Sequence, residues 1–231
     1  MKKITLIILL ICSLCASLLS FNSCSRSTLL DTVKSNDTVF KLYGDEYVNK
    51  IEIYKDGNSV YEVKVNGAIT KNDTYEHYGF ICEDMNFDGE EDFGIIVAAS
   101  SGGEKIRYNC YTYNDISKKF PKNQYLSSLE NISFDVTTKQ VREMKITKIF
   151  DQPVTKYNKT PDYTESRSKI IYGWEDSSLV ELSRTSIVYY SVTDIYSYIT
   201  YTYDSNGKAE ENTEIWLEST EIDAFMQEIN W

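Results

Sequence analysis

Two short turns in this chain constrain its fold more than any other feature. Lys50-Ile-Glu-Ile-Tyr-Lys55 alternates apolar and polar residues, Asp56-Gly57 follows, and Val60-Tyr-Glu-Val-Lys-Val65 alternates again. A two-residue Asp-Gly or Asn-Gly link between alternating runs suits the left-handed backbone of a tight hairpin. The pattern recurs at Asp194-Ile-Tyr-Ser-Tyr-Ile-Thr-Tyr-Thr-Tyr203, Asp204-Ser-Asn206-Gly207 and Asn212–Glu218. Further strand candidates are Lys145–Phe150, Ser168–Trp174, Leu179–Leu182 and Thr185–Tyr190. In Lys105–Tyr113 the side chains of Ile106, Tyr108, Cys110 and Thr112 share the more apolar face.

Nineteen tyrosines and only three prolines reinforce this reading. Residues 114–139 read as loop. Helical spacing appears only at the end, where Ile222, Phe225, Met226 and Ile229 form a stripe behind a Thr220/Asp223 capping-box variant. The expected fold class is all-β, antiparallel hairpins with a short C-terminal helix; β-sandwich, barrel and small β-propeller all meet this pattern, and periodicity does not choose among them.

The N-terminus reads as an export signal. Met1-Lys2-Lys3 precedes an apolar run from Ile4 to Leu19, and Phe21-Asn-Ser-Cys24 follows. Residues 1–23 are therefore expected to be a signal peptide, with Cys24 lipidated and residues 24–44 a polar tether. Residues 45–231 are then one all-β domain. A plain secreted or periplasmic protein is the alternative. Loss of residues 1–23 removes Lys2 and Lys3 and no acid, so the 24 basic and 35 acidic residues become 22 and 35, a net charge of −13. Such a surface repels nucleic acid and anionic lipid, and steers basic partners and cations. Contact with the membrane is then through the lipid anchor alone.

The richest chemistry lies at Asp84-Met-Asn86-Phe-Asp88-Gly89-Glu90-Glu-Asp92. Oxygen-bearing side chains stand at alternate positions, a glycine permits a sharp bend, and a further carboxylate follows. This is the start of a calcium-loop pattern. Asp84, Asn86 and Asp88 are expected ligands, with the Glu90 backbone oxygen and with Asp92 directly or through water. The twelfth position is Ile95 rather than Glu, so a last ligand must come from water, Glu83, Glu91 or elsewhere. Apolar runs on both sides place the loop between strands. A metal-free acidic hairpin is the other reading. Cys82 and Cys110 lie in strand-like runs of an exported chain, where they either form a disulfide or remain buried thiols. His77 is the single histidine, so neither a zinc cluster nor a nucleophile-elbow triad is apparent. It is expected at a strand surface.

The Asp84–Asp92 segment and the strand after it resemble the Asp-x-Asn-Phe-Asp-Gly-x-x-Asp segment of FG-GAP/VCBS-type calcium-binding repeats. They are also similar to exported bacterial β-propeller proteins of the Xanthomonas lysozyme-inhibitor type. Tyr111-Thr-Tyr-Asn-Asp-Ile-Ser-Lys-Lys-Phe120, Asn123-Gln-Tyr-Leu-Ser-Ser-Leu129 and Phe134-Asp135 continue that likeness over residues 45–150. The resemblance implies a propeller-like fold with calcium as a structural clip. It also makes the chain a candidate inhibitor of a lysozyme, and it assigns no inhibitory residue. The expectation is thus a non-catalytic, calcium-stabilised envelope lipoprotein that binds a basic cell-wall lytic enzyme. An exported carboxylate-dependent hydrolase and a structural surface protein are the alternatives.

Overall fold

The computed structural model describes residues 27–72, 74–100, 104–151, 162–204 and 207–229. The expected signal peptide and the expected lipidation site Cys24 lie outside these residues. Fourteen strands and one short helix are described. The first sheet comprises β1 (Thr28–Ser35), β2 (Thr38–Gly44), β3 (Val48–Lys55) and β4 (Asn58–Lys64). The middle sheet comprises β5 (Phe80–Glu83), β6 (Asp92–Ala99), β7 (Ile106–Tyr111) and β8 (Lys122–Asn123). The third sheet runs through β9 (Ile132–Asp135), β10 (Gln140–Phe150), β11 (Tyr163–Glu175), β12 (Ser178–Tyr190), β13 (Ile195–Tyr203) and β14 (Ala209–Glu218). Within each sheet every strand pairs antiparallel with its sequence neighbour. The fold is all-β and antiparallel, with helix α1 (Ile222–Glu228) at the end.

The first turn forms as the sequence dictates. Asp56 and Gly57 have φ of 50° and 78°, and Lys55 pairs with Asn58 across them. Residues 24–44, expected as a tether, contain two strands instead. Thr38, Phe40, Leu42 and Gly44 of β2 are buried at every second position, between half-buried Val39, Lys41 and Tyr43. The interleaved polar residues concealed a strand whose inner face is fully apolar at Phe40 and Leu42. Thr28–Gly44 is therefore part of the folded body. Residues 114–139 likewise contain β8, β9 and a 3-10 turn at Leu126–Ser128. Leu179–Leu182 and Thr185–Tyr190 merge into the single strand β12.

The middle sheet is buried on both faces. On one face Phe93 and Ile95 of β6 join Phe80, Tyr111, Tyr113 and Phe120, against Phe40, Leu42, Val48, Ile51 and Ile53 of the first sheet. Phe93 has ring centroids of Phe40, Phe80, Tyr111 and Phe120 at 5.5, 5.8, 4.8 and 5.5 Å. On the other face Met85, Cys110, Leu126 and Leu129 meet Val141, with Tyr172, Trp174 and Leu179 of the third sheet packed around them. The expected single apolar face of β7 is thus one of two: Tyr111 and Cys110 are both buried, in different cores.

Cys82 and Cys110 are free thiols. Cys82 pairs with Phe93 and Cys110 with Gly94, so they flank β6 on adjacent rungs. Adjacent rungs point to opposite faces. The two cysteines are also separated by two strand spacings, about 10 Å, beyond the reach of a disulfide. The disulfide expectation is therefore corrected.

The C-terminal helix also differs from expectation. No side-chain cap holds its start, and Thr220 is not its N-cap, which is Glu221. Phe225 stands edge-on to Tyr198 of β13 at 5.0 Å, and no helix residue is fully buried.

Candidate metal centre

The loop between β5 and β6 is built by alternation. Met85 is fully buried in the second core and Phe87 packs against it, so Asp84, Asn86 and Asp88 project the other way. Two left-handed residues then reverse the backbone: Phe87 at φ 61° and Gly89 at φ 91°. A β-carbon on Gly89 would meet nothing within 4 Å, so the backbone conformation alone calls for glycine there. The reversal aims backbone amides inward. Asp84 accepts from the N–H of Asp88 at 3.0 Å and of Gly89 at 2.8 Å. Asn86 Oδ1 also accepts from Asp88 N at 3.2 Å, and Asp88 Oδ1 accepts from Glu90 N at 2.9 Å. Asn86 Nδ2 donates to Asp88 Oδ2 at 2.8 Å, which closes the ring of oxygens.

The structure therefore brings Asp84, Asn86 and Asp88 together. It assigns Asp92 another task. Asp92 is completely buried, with Oδ2 accepting from Met85 N at 2.9 Å and Oδ1 from Tyr113 N at 2.7 Å. One carboxylate thus ties the start of the loop to the segment leaving β7. Burial pushes its carboxyl up to about 8; the two amides oppose that shift, and the charges of Asp88 and Asp84 add to it. Asp92 is a bracket behind the loop, close enough to feel both outer carboxylates.

Glu90 and Glu91 anchor the loop to the first sheet. The Glu90 carboxylate pairs with Lys55 of β3, whose ammonium also sits 4.7 Å from the Tyr113 ring centroid. Glu91 accepts from Asn36 and, at 3.1 Å, from the Cys82 thiol. These contacts use the side chains of Glu90 and Glu91, which leaves Glu90 the backbone oxygen expected of it. Glu83 is pushed up by burial and then by Glu91. From the third sheet, the Trp174 indole N–H donates to the Met85 carbonyl at 3.2 Å. Nothing in the spacing of the sequence distinguished the inward Asp92 from its outward neighbours. The pairing of Glu83 with Asp92 across the base of the loop is a register property, legible only once the strands are placed.

The donor set suits a hard cation, since it offers carboxylate and carboxamide oxygens and no sulfur or imidazole. Its size is limited. Among the described residues no group of three or more His, Cys, Asp or Glu side chains is arranged to hold a metal. The converging set has two carboxylates and one carboxamide, so any ion here would need backbone oxygen and water as well.

His77 does not stand on a strand. It lies in a 3-10 turn, Glu76–Gly79, at φ 50°, with Nδ1 3.1 Å from Asp31 Oδ2 of β1. Burial raises the Asp31 carboxyl, but hydrogen bonds from His77 and Thr32 and the Lys71 ammonium outweigh it and hold the group below its usual value. Burial also raises both thiols, Cys82 further because Glu91 faces it and Cys110 to about 12. A raised thiol holds little thiolate, the nucleophilic form.

No family model matches the chain, and no curated protein matches it. Among solved structures it is similar to a Xanthomonas type IV secretion system related protein, at 16% identity and a TM-score of 0.45. The match covers 80% of this chain and 86% of that one.

Proposed function

We propose that this is a non-catalytic binding protein of the cell envelope, stabilised by calcium at the Asp84–Asp92 loop and tethered by a lipid on Cys24. Its partner in this reading is a basic cell-wall lytic enzyme of the lysozyme type. The observation that carries the calcium part is the convergence of Asp84, Asn86 and Asp88 on one turn, with the buried Asp92 behind them. Bound calcium would offset the mutual repulsion of these carboxylates and hold the loop between its anchors on the first and third sheets. Asp84, Asn86 and Asp88 would supply side-chain oxygens and Glu90 its carbonyl; Asp92 would act from behind.

The partner reading rests on the acidic balance of the chain, which favours encounter with a cationic protein, and on the sequence resemblance. Three successive antiparallel meanders stacked face on face support treating the fold as a small propeller-type array of blades, with a layered sandwich as the alternative. The partner is tested by lysozyme inhibition together with affinity capture from the envelope. Inhibition with a stable complex is expected. Absence of any complex with a lysozyme, accompanied by turnover of a glycan, would replace the binding protein with a hydrolase.

A further inference from the structure

Beside the loop lies a cleft of about 700 Å³. Four stretches form it: the loop at Asn86 and Asp88, residues 112–116, residues 121–125 with β8, and the end of β11 at Trp174 with Ser177 of the turn after it. That volume falls in the range of small-ligand sites, about 300–1,000 Å³. Its walls carry two kinds of surface.

The first is aromatic. The Trp174 ring is held in place by its indole bond to the Met85 carbonyl. Tyr125 is half exposed, and its hydroxyl lies 3.5 Å from Ser178 Oγ across the seam between the middle and third sheets. The second is polar, with Asp88, Asp115 and Lys122 standing among neutral hydrogen-bonding groups. Asn114 Oδ1 accepts from Ser117 N at 2.8 Å, and Asn123 Oδ1 accepts from Leu126 N at 3.1 Å. An N–H can donate only to the carboxamide oxygen, so these bonds fix both amides, and among the described residues their NH2 groups have no partner. Gln124 has no hydrogen-bond partner among the described residues. Asp88 adds an acceptor at the loop side.

An anion meets two carboxylates, Asp88 and Asp115, against the single ammonium of Lys122, and a simple cation gains nothing from three carboxamide donors. A purely apolar ligand would leave those donors unpaired, at a cost. A pyranose ring satisfies both surfaces at once: a flat C–H face for the aromatic ring, and hydroxyl oxygens that accept from carboxamides and donate to carboxylates. We propose that the cleft binds a neutral oligosaccharide of β-1,4-linked pyranoses, stacked on Tyr125 and Trp174 and hydrogen-bonded by Asn114, Asn123, Gln124 and Asp88. Extended β-1,4 chains present successive flat faces, which suits a cleft open along the seam between two sheets.

The test is titration of the intact protein, in calcium-containing buffer, with cellotriose and with triacetylchitotriose, followed by NMR. Binding of at least one trisaccharide is expected with Kd on the order of 1 mM or tighter. It should shift the Trp174 indole and the Asn123 and Gln124 carboxamide signals. Tyr125→Ala should weaken it roughly tenfold, and Gln124→Ala should weaken it too. Trp216→Ala, at an exposed site on β14, should leave it unchanged. Binding of neither sugar, or shifts confined to another face, overturns the proposal. So does a protein partner whose capture is lost in Tyr125→Ala while no sugar binds, which would make the cleft a protein-docking site. Enzyme inhibition is not a readout here, so this proposal and the lytic-enzyme reading fail separately.

Discussion

At the scale of single residues, Asp92 is the most consequential position. Its two oxygens satisfy the amides of Met85 and Tyr113 in buried hydrogen bonds. Asp92→Ala should destabilise the protein by about 3 kcal/mol or more, read by denaturant titration, because it strands two buried donors. The same carboxylate sets a pH dependence. Its carboxyl titrates near 8 when folded, against 3.8 as the ordinary value. Between those limits the folded state holds the extra proton, so this contribution to stability is complete below the lower value and is lost as pH rises through the upper one. Without calcium, melting temperature should fall on the order of 5 °C from about pH 6 to about pH 9. Asp92→Asn should lower stability overall but flatten that profile, and a profile equally steep in Asp92→Asn would assign the titration elsewhere. Gly89 is sensitive for another reason: at φ 91°, Gly89→Ala should cost about 1 kcal/mol through backbone strain alone, there being open space around it.

At the scale of elements, β6 is the keystone because both its faces are buried. Phe93→Ala removes a ring that contacts four others and should cost about 3–5 kcal/mol in a thermal or denaturant melt. Reductant should leave the melting temperature unchanged, and intact mass should report two free thiols at Cys82 and Cys110. A bridge between them would require β6 to leave the sheet. Deleting residues 27–44 should abolish cooperative melting, since it removes the fully buried Phe40 and Leu42. Retained cooperativity would restore those residues to the role of a tether. Much of this level was legible in the sequence. The Asp56-Gly57 hairpin, the strand character of Ile195–Tyr203 and the oxygen alternation of the loop follow from local backbone preference and period two. What was hidden depends on partners distant in the chain. Lys41 and Tyr43 masked the inner face of β2, and a sheet covered on both sides shows no polar face to mark its orientation. Asp92 carries the same side chain as Asp84 and Asp88 but points the other way, because its register with Glu83 puts it under the loop.

At the scale of the whole molecule, three meanders share two cores, and the loop touches all three. Lys55 holds Glu90 from the first sheet, Asp92 sits at the start of β6, and Trp174 reaches Met85 from the third. A cation at Asp84, Asn86 and Asp88 should therefore stabilise the whole body rather than a single hairpin, by mass action on the native state. The third sheet extends past both cores, leaving Ile149, Phe150 and Trp216 substantially exposed. It should open first in hydrogen exchange, ahead of β6 and β7. The decisive measurement is the melting temperature of the purified protein in calcium and in chelator, alongside Asp88→Ala. A rise with calcium that is reversed by chelator and lost in Asp88→Ala is expected. An unchanged melting temperature in the wild type, with Asp88→Ala equally indifferent, would mean that the loop is an acidic turn and holds no ion.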